Sequence, residues 1–179
     1  MTNPKNRIQA VQYEIRECRA CALLNSSLRA RITRLSETNI VRRSHYLGGR
    51  HENIYVERES LPEIGEILDF ATTQAAEILE RPRLLLRIGW WLNVMRPGDV
   101  THAHTHDDND ELLSGVYYVE TPPHSGRLVL LDNGRREEIE PRAGAFVFFA
   151  PDMPHEVTRN ESGRPRLSVG FNIGVRQEP

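Results

Sequence analysis

Residues 126–157 read "GRLVLLDNGRREEIEPRAGAFVFFAPDMPHEV", and their texture decides the fold. Short β-rich pieces, "GRLVLLD", "REEIE", "GAFVFFA" and "HEV", alternate with Pro, Gly, Asp and Asn turns. Asp132-Asn133-Gly134 is the clearest of these, because Asn and Gly tolerate the positive φ that a tight hairpin demands. The same texture extends outward on both sides. "LRIGWWLNVM", "VTHAH" and "LLSGVYYVET" precede the stretch and "RLSVGFNIGV" follows it, giving eight strands in about 95 residues with no helix between them. That pattern predicts a mainly β double-sheet jelly roll or small barrel.

Upstream of Arg81 the periodicity is helical. Apolar residues recur at helical spacing over residues 5–36 and again over 61–80. In the second segment Leu61, Ile64, Ile67, Leu68 and Ala71 mark one face, and Pro62 sits where a first turn tolerates proline. Two helices packed outside one sheet are expected. Between them, "RRSHYLGGRHENIYVERES" reads as a loop with one short strand, Ile54 to Val56. The organisation expected is a single domain over 1–179, with a helical extension at 1–82 and the jelly-roll core at 83–179.

Bulk properties narrow the function classes. A chain of 179 residues with 39% hydrophobic and 27% charged residues reads as one soluble globular domain, and no apolar run approaches the roughly 20 residues that span a bilayer. The first residues lack the pattern of a secretory signal, so a cytoplasmic location is expected and no membrane. A net charge of −2 with dispersed basic residues argues against a nucleic-acid partner. Lys5 is the sole lysine, which removes Schiff-base chemistry from consideration. The two cysteines, Cys18 and Cys21, form a CxxC inside a stretch that reads as helix, and the expectation is two small helix residues. A thioredoxin-like site would require the motif to follow a strand.

Chemistry concentrates at residues 101–111, "THAHTHDDNDE", with three histidines and four carboxylates. On the strand map this stretch closes the second strand of the β region, and His155 opens the seventh. Those strands are neighbours in a jelly roll. His106 and Asp108, two residues apart and so on one strand face, then meet His155 at one open end of the barrel. Two imidazoles and a carboxylate on one face of a metal, with positions left open, are the facial triad of non-haem Fe(II) oxygenases. A solvated polar loop is the bland alternative.

The last strand adds a second element. In "RLSVGFNIG", Leu167, Val169, Phe171 and Ile173 alternate with Arg166, Ser168, Gly170 and Asn172, so one face is apolar and the other is polar or small. Arg166 and Ser168 on that second face offer a guanidinium fork and a hydroxyl that suit a dicarboxylate.

"HDDNDELLSGVYYV", "PRAGAFVFFAPDMPHEV" and "RPRLSVGFNIG" together resemble the 2-oxoglutarate- and Fe(II)-dependent oxygenases of bacteria and phages, over roughly residues 89–174. The resemblance implies a cupin-like double-stranded β-helix and a dioxygenase that uses Fe(II), 2-oxoglutarate and O2. Hydroxylation, with release of succinate and CO2, is the activity it suggests; a small-molecule substrate is expected because the sequence shows no extended groove or charged docking patch. The resemblance implies His106, Asp108 and His155 as iron ligands and Arg166 with Ser168 at the distal carboxylate of 2-oxoglutarate. Asn93 in "WWLNVMRPG" is a further cosubstrate contact on the same footing, while Met95 stands where relatives carry tyrosine. A register shifted by two residues would use His104 with His106 instead.

Two alternatives stay open. Gly98-x5-His104-x-His106-x4-Glu111 with His155 also fits much of a cupin metal motif without 2-oxoglutarate, and a non-catalytic jelly-roll metal- or ligand-binding module would hold the same histidines. Tyr117 and Tyr118 point to opposite faces of their strand, and Trp90 and Trp91 pose the same ambiguity. The first fifty residues are read as a lid or a homodimer surface. His45, His51 and His124 are read as surface histidines.

Overall fold

The structure is a computed structural model that describes residues 12–106 and 110–176. It opens with β1 (Tyr13–Glu17), α1 (Arg19–Ile32), β2 (Ile40–Leu47), β3 (Arg50–Val56) and α2 (Ile64–Ile78). Eight strands follow: β4 (Leu86–Met95), β5 (Thr101–His104), β6 (Glu111–Glu120), β7 (Leu128–Asp132), β8 (Arg135–Ile139), β9 (Ala145–Phe149), β10 (His155–Val157) and β11 (Arg166–Val175). These coincide with the eight strands expected from the sequence. Asn133 and Gly134 both take positive φ, 48° and 80°, as the hairpin between β7 and β8 requires.

A seven-stranded sheet in the order β1-β9-β6-β11-β4-β3-β2 faces a four-stranded sheet in the order β5-β10-β7-β8, and the strand pairs within both are antiparallel. This is the jelly roll. The alternation of β11 is used as read: Leu167, Val169, Phe171 and Ile173 are buried in a cluster with Leu28 of α1 and Ile64, Ile67, Leu68, Ala71 and Ala75 of α2. The helices therefore cover one face of the large sheet. A second cluster, with Tyr118, Val147 and Phe149 from the large sheet and Leu128, Leu130 and Ile139 from the small one, fills the space between sheets. Burial of such side chains stabilises by about 1.5–3 kcal/mol each, before conformational entropy is counted.

The N-terminal third departs from expectation. The helix read over 5–36 is a strand followed by a shorter helix; residues 5–11 lie outside the described residues. Tyr13 and Ile15 pack against the inter-sheet cluster, a period of two, and β1 pairs along its whole length with β9. An available sheet edge outweighs a marginal helical signal. The loop expected around residues 42–60 is a hairpin, with Gly48 and Gly49 at positive φ forming its turn. The segment before residue 83 thus contributes three strands to the large sheet as well as two helices. No helix among the described residues is long and apolar enough to cross a membrane.

Candidate metal and cosubstrate site

The site lies between the two sheets, where β5 and β10 of the small sheet face β4, β6 and β11 of the large one. His155 pairs directly with His104 across the β10–β5 ladder, the neighbour relationship expected of the second and seventh strands. His106 follows β5, its backbone N–H donating to the Pro151 carbonyl at 2.8 Å, which ties the end of that segment to the turn before β10. His104, His106 and His155 each offer a ligand nitrogen, all within 4.8 Å of one another. Asp108 lies outside the described residues.

Two of the imidazoles have their tautomers fixed. Nδ1 of His155 is 2.9 Å from the Met153 carbonyl, and Nδ1 of His104 is 2.8 Å from the His102 carbonyl. A carbonyl only accepts, so both Nδ1 atoms carry the proton and both Nε2 atoms keep a lone pair for a metal. Burial, reinforced by the nearby His104, pushes the pKa of His155 down to about 4, against a weaker upward pull from the Met153 bond. Its imidazole is neutral at physiological pH, as a ligand must be.

The floor of the cavity is cationic. Arg166 is 2% exposed, and it forms no ion pair with a carboxylate among the described residues. Its NH1 group donates to the Gly126 carbonyl at 3.4 Å and approaches the Met95 sulfur at 3.8 Å, while Nε is buried without a hydrogen-bond partner. Met95 is buried beside the guanidinium. Leaving an arginine buried and short of an anion costs several kcal/mol, and its place in the cavity lining makes the cavity suited to an anionic group. Ser168 and Asn93 sit opposite one another in the β11–β4 register, and both line the same cavity. Asn93 Oδ1 is also buried without a partner; turning the amide over would present its NH2 to an acceptor.

The cavity measures about 60 Å³, room for several waters. Trp91 forms one wall, its ring centroid 5.3 Å from that of His106, and Phe149 another, 4.7 Å from His155. Gly170 makes the first wall feasible, because a Cβ there would meet the Trp91 indole at 2.5 Å. The paired aromatic residues are now assigned. Trp91 faces the cavity and Trp90 packs toward the helices; Tyr118 lies between the sheets beside Arg166, whereas Tyr117 points to α1 and donates to Asn25 Oδ1 at 2.6 Å.

The sequence reading brought five of its six site residues to one cavity: Asn93, His106, His155, Arg166 and Ser168. It missed Asn53, which reaches the cavity from β3, because that strand was read mostly as loop. His45, expected on the surface, is exposed but lies at the site's mouth, 6.0 Å from His104 between ring centroids and 3.1 Å from Asn53 Nδ2. Glu111, the cupin-type extra ligand, is not part of the three-histidine group.

Residues 89–172 match the family described as "Putative 2OG-Fe(II) oxygenase", a span that runs from within β4 to within β11. No curated protein matches the sequence. Among solved structures, a Pseudomonas putida prolyl-4-hydroxylase superposes with a TM-score of 0.71 at 22% identity, covering 92% of this chain and 92% of that one. A Trichoplax adhaerens prolyl hydroxylase, in complex with a hypoxia-inducible-factor peptide fragment, gives 0.66 at 12% identity over 90% and 83%. EvdO2 from Micromonospora carbonacea var. aurantiaca, complexed with 2-oxoglutarate, gives 0.65 at 18% identity over 93% and 88%.

Proposed function

We propose that this chain, a 2-oxoglutarate- and Fe(II)-dependent oxygenase, hydroxylates a small-molecule substrate and releases succinate and CO2. One observation carries the reading: a buried arginine with an unpartnered Nε shares a cavity with three convergent imidazoles. A metal site alone does not need Arg166, and an anion site alone does not need His155. Together they suit a ligand with an anionic end and a metal-chelating end.

We assign His106 and His155 as iron ligands and Asp108 as the third, with His104 an additional imidazole beside them. Arg166 and Ser168 hold the distal carboxylate of 2-oxoglutarate, and Asn93 is a further contact. When bound, iron and 2-oxoglutarate with O2 supply the oxidising power for insertion of oxygen into a C–H bond. The chain's own tasks are orientation, charge compensation and exclusion of water. Arg166 compensates the carboxylate in a dry site, where its charge acts at low dielectric. Trp91 and Phe149 keep water from the imidazole cluster. The Met153 and His102 carbonyls hold two rings so that Nε2 faces inward.

The net charge of −2 is in keeping with no nucleic-acid partner. The decisive experiment measures succinate formation from 2-oxoglutarate by purified protein with Fe(II), ascorbate and air. Wild type is expected to turn over slowly without substrate, and Asp108→Ala and Arg166→Ala to lose that turnover. Retention of iron by Asp108→Ala with loss by His104→Ala would favour the cupin-type ligand set instead.

A further inference from the structure

The CxxC motif is not where its sequence context suggested. Strand β1 ends at Glu17, Cys18 is extended (φ −118°, ψ 98°) and caps α1, and Cys21 sits in the first turn of that helix. The two sulfurs are joined as a disulfide, and the chain contains no other cysteine. Two small helix residues were expected; the correction follows from β1, which ends the extended segment one residue before the motif. The motif therefore follows a strand and opens a helix, the local order that a redox-active CxxC shares.

We propose that Cys18–Cys21 is a thiol–disulfide exchange site, separate from the metal cavity, which is reduced by a dithiol and reoxidised by a disulfide. Its surroundings support exchange at Cys18. The Cys21 backbone N–H donates to Cys18 Sγ at 3.1 Å, and the first turn of α1 carries no acidic residue. A thiolate formed at Cys18 thus gains a hydrogen bond and the positive end of the helix. Both cysteines are buried at the edge of the helix-side core, Cys18 at 6% exposure and Cys21 at 2%, with Glu17, Arg19 and Ala20 exposed beside them, so an incoming thiolate gains access when the β1–α1 junction opens locally. Neither cysteine lines the cavity of the three histidines.

The step balances without further reactants. A dithiol's thiolate attacks Cys18 Sγ, the protein S–S bond breaks, and Cys21 leaves as a thiolate that takes a proton. The dithiol's second thiolate then attacks its own mixed-disulfide sulfur and releases Cys18. The protein gains two electrons and two protons, and the dithiol becomes a disulfide. Oxidation by glutathione disulfide is the reverse, with two glutathione thiols as products.

Because the chain holds only these two cysteines, a mass spectrum reads the state directly. Native full-length protein is equilibrated in dithiothreitol or in graded mixtures of reduced and oxidised glutathione, then quenched with N-ethylmaleimide. Species carrying no adduct or two adducts are expected to interconvert reversibly with the mixture while the protein stays folded. In Cys21→Ser, oxidised glutathione is expected to leave one glutathione on Cys18; Cys18→Ser, which keeps a good helix cap, is expected to be modified far more slowly. A disulfide that survives dithiothreitol until the protein is denatured would overturn the proposal in favour of an inert staple. Two thiols that remain free in oxidised glutathione would overturn it equally.

Discussion

The guanidinium carbon of Arg166 lies 5.0 Å from the ring centroid of Tyr118, both side chains fully enclosed between the sheets. The ring face supports the cation, while the Tyr118 hydroxyl has no hydrogen-bond partner. Tyr118→Phe is therefore expected to leave stability unchanged or to raise it by up to about 1 kcal/mol, since an unpaired buried hydroxyl is removed. Tyr117→Phe breaks the bond to Asn25 and is expected to cost about 1 kcal/mol. Urea unfolding of the two variants, side by side, checks the contrast.

The proposed role of Arg166 is to set cosubstrate affinity. With Mn(II) in place of iron, saturation with 2-oxoglutarate at about 100 times its Kd should stabilise wild type by roughly 2.7 kcal/mol, seen as a rise in Tm. Arg166→Ala is expected to lose that rise at the same concentration. Arg166→Lys should recover little of it, because a point charge replaces a planar fork. A full thermal shift in Arg166→Ala would remove Arg166 from the carboxylate site.

The metal-free protein should weaken in mild acid through His155. Its folded pKa, about 4, lies below the 6.5 of an unperturbed histidine, chiefly because it is buried. Unfolding takes up a proton between those values, so this contribution is intact above pH 6.5 and is lost as pH falls toward 4. Wild type is expected to lose about 2 kcal/mol from this group between pH 7 and pH 5. His155→Gln should show a correspondingly shallower decline in urea midpoints, and equal slopes would contradict the assignment.

Gly170→Ala tests the cavity wall. A methyl group there meets the Trp91 indole at 2.5 Å, so the indole must move. A destabilisation of about 1–3 kcal/mol is expected, with a changed tryptophan emission spectrum and reduced succinate formation. Unchanged fluorescence and activity would show that Trp91 is not held against this strand.

The β core was legible because its signals are local and mutually consistent: turn residues, period-two alternation in β11, and a histidine placed to open β10. Arg166 announced itself as the charged member of a strand's inner face. The N-terminal third was less legible for the opposite reason. Tyr13 and Ile15 form a strand because β9 offers an unpaired edge some 130 residues away in sequence, a fact no local window contains. Asn53 reaches the cavity for the same kind of reason, through long-range pairing of β3. The choice between Trp90 and Trp91 depended on which face of β4 the helices would cover.

The large sheet begins and ends on strands from the first 56 residues, β1 at one edge and β2 at the other. The half of the chain that carries the recognisable motifs is consequently not a portable module. A fragment cut after residue 82 would bare the whole flank of β9, along which β1 pairs, and the side of β4 that β3 meets at Leu92, leaving strand edges ready to template another chain. Such a fragment should collect in inclusion bodies, and the N-terminal strands are better understood as built-in guards against self-assembly than as an appendage.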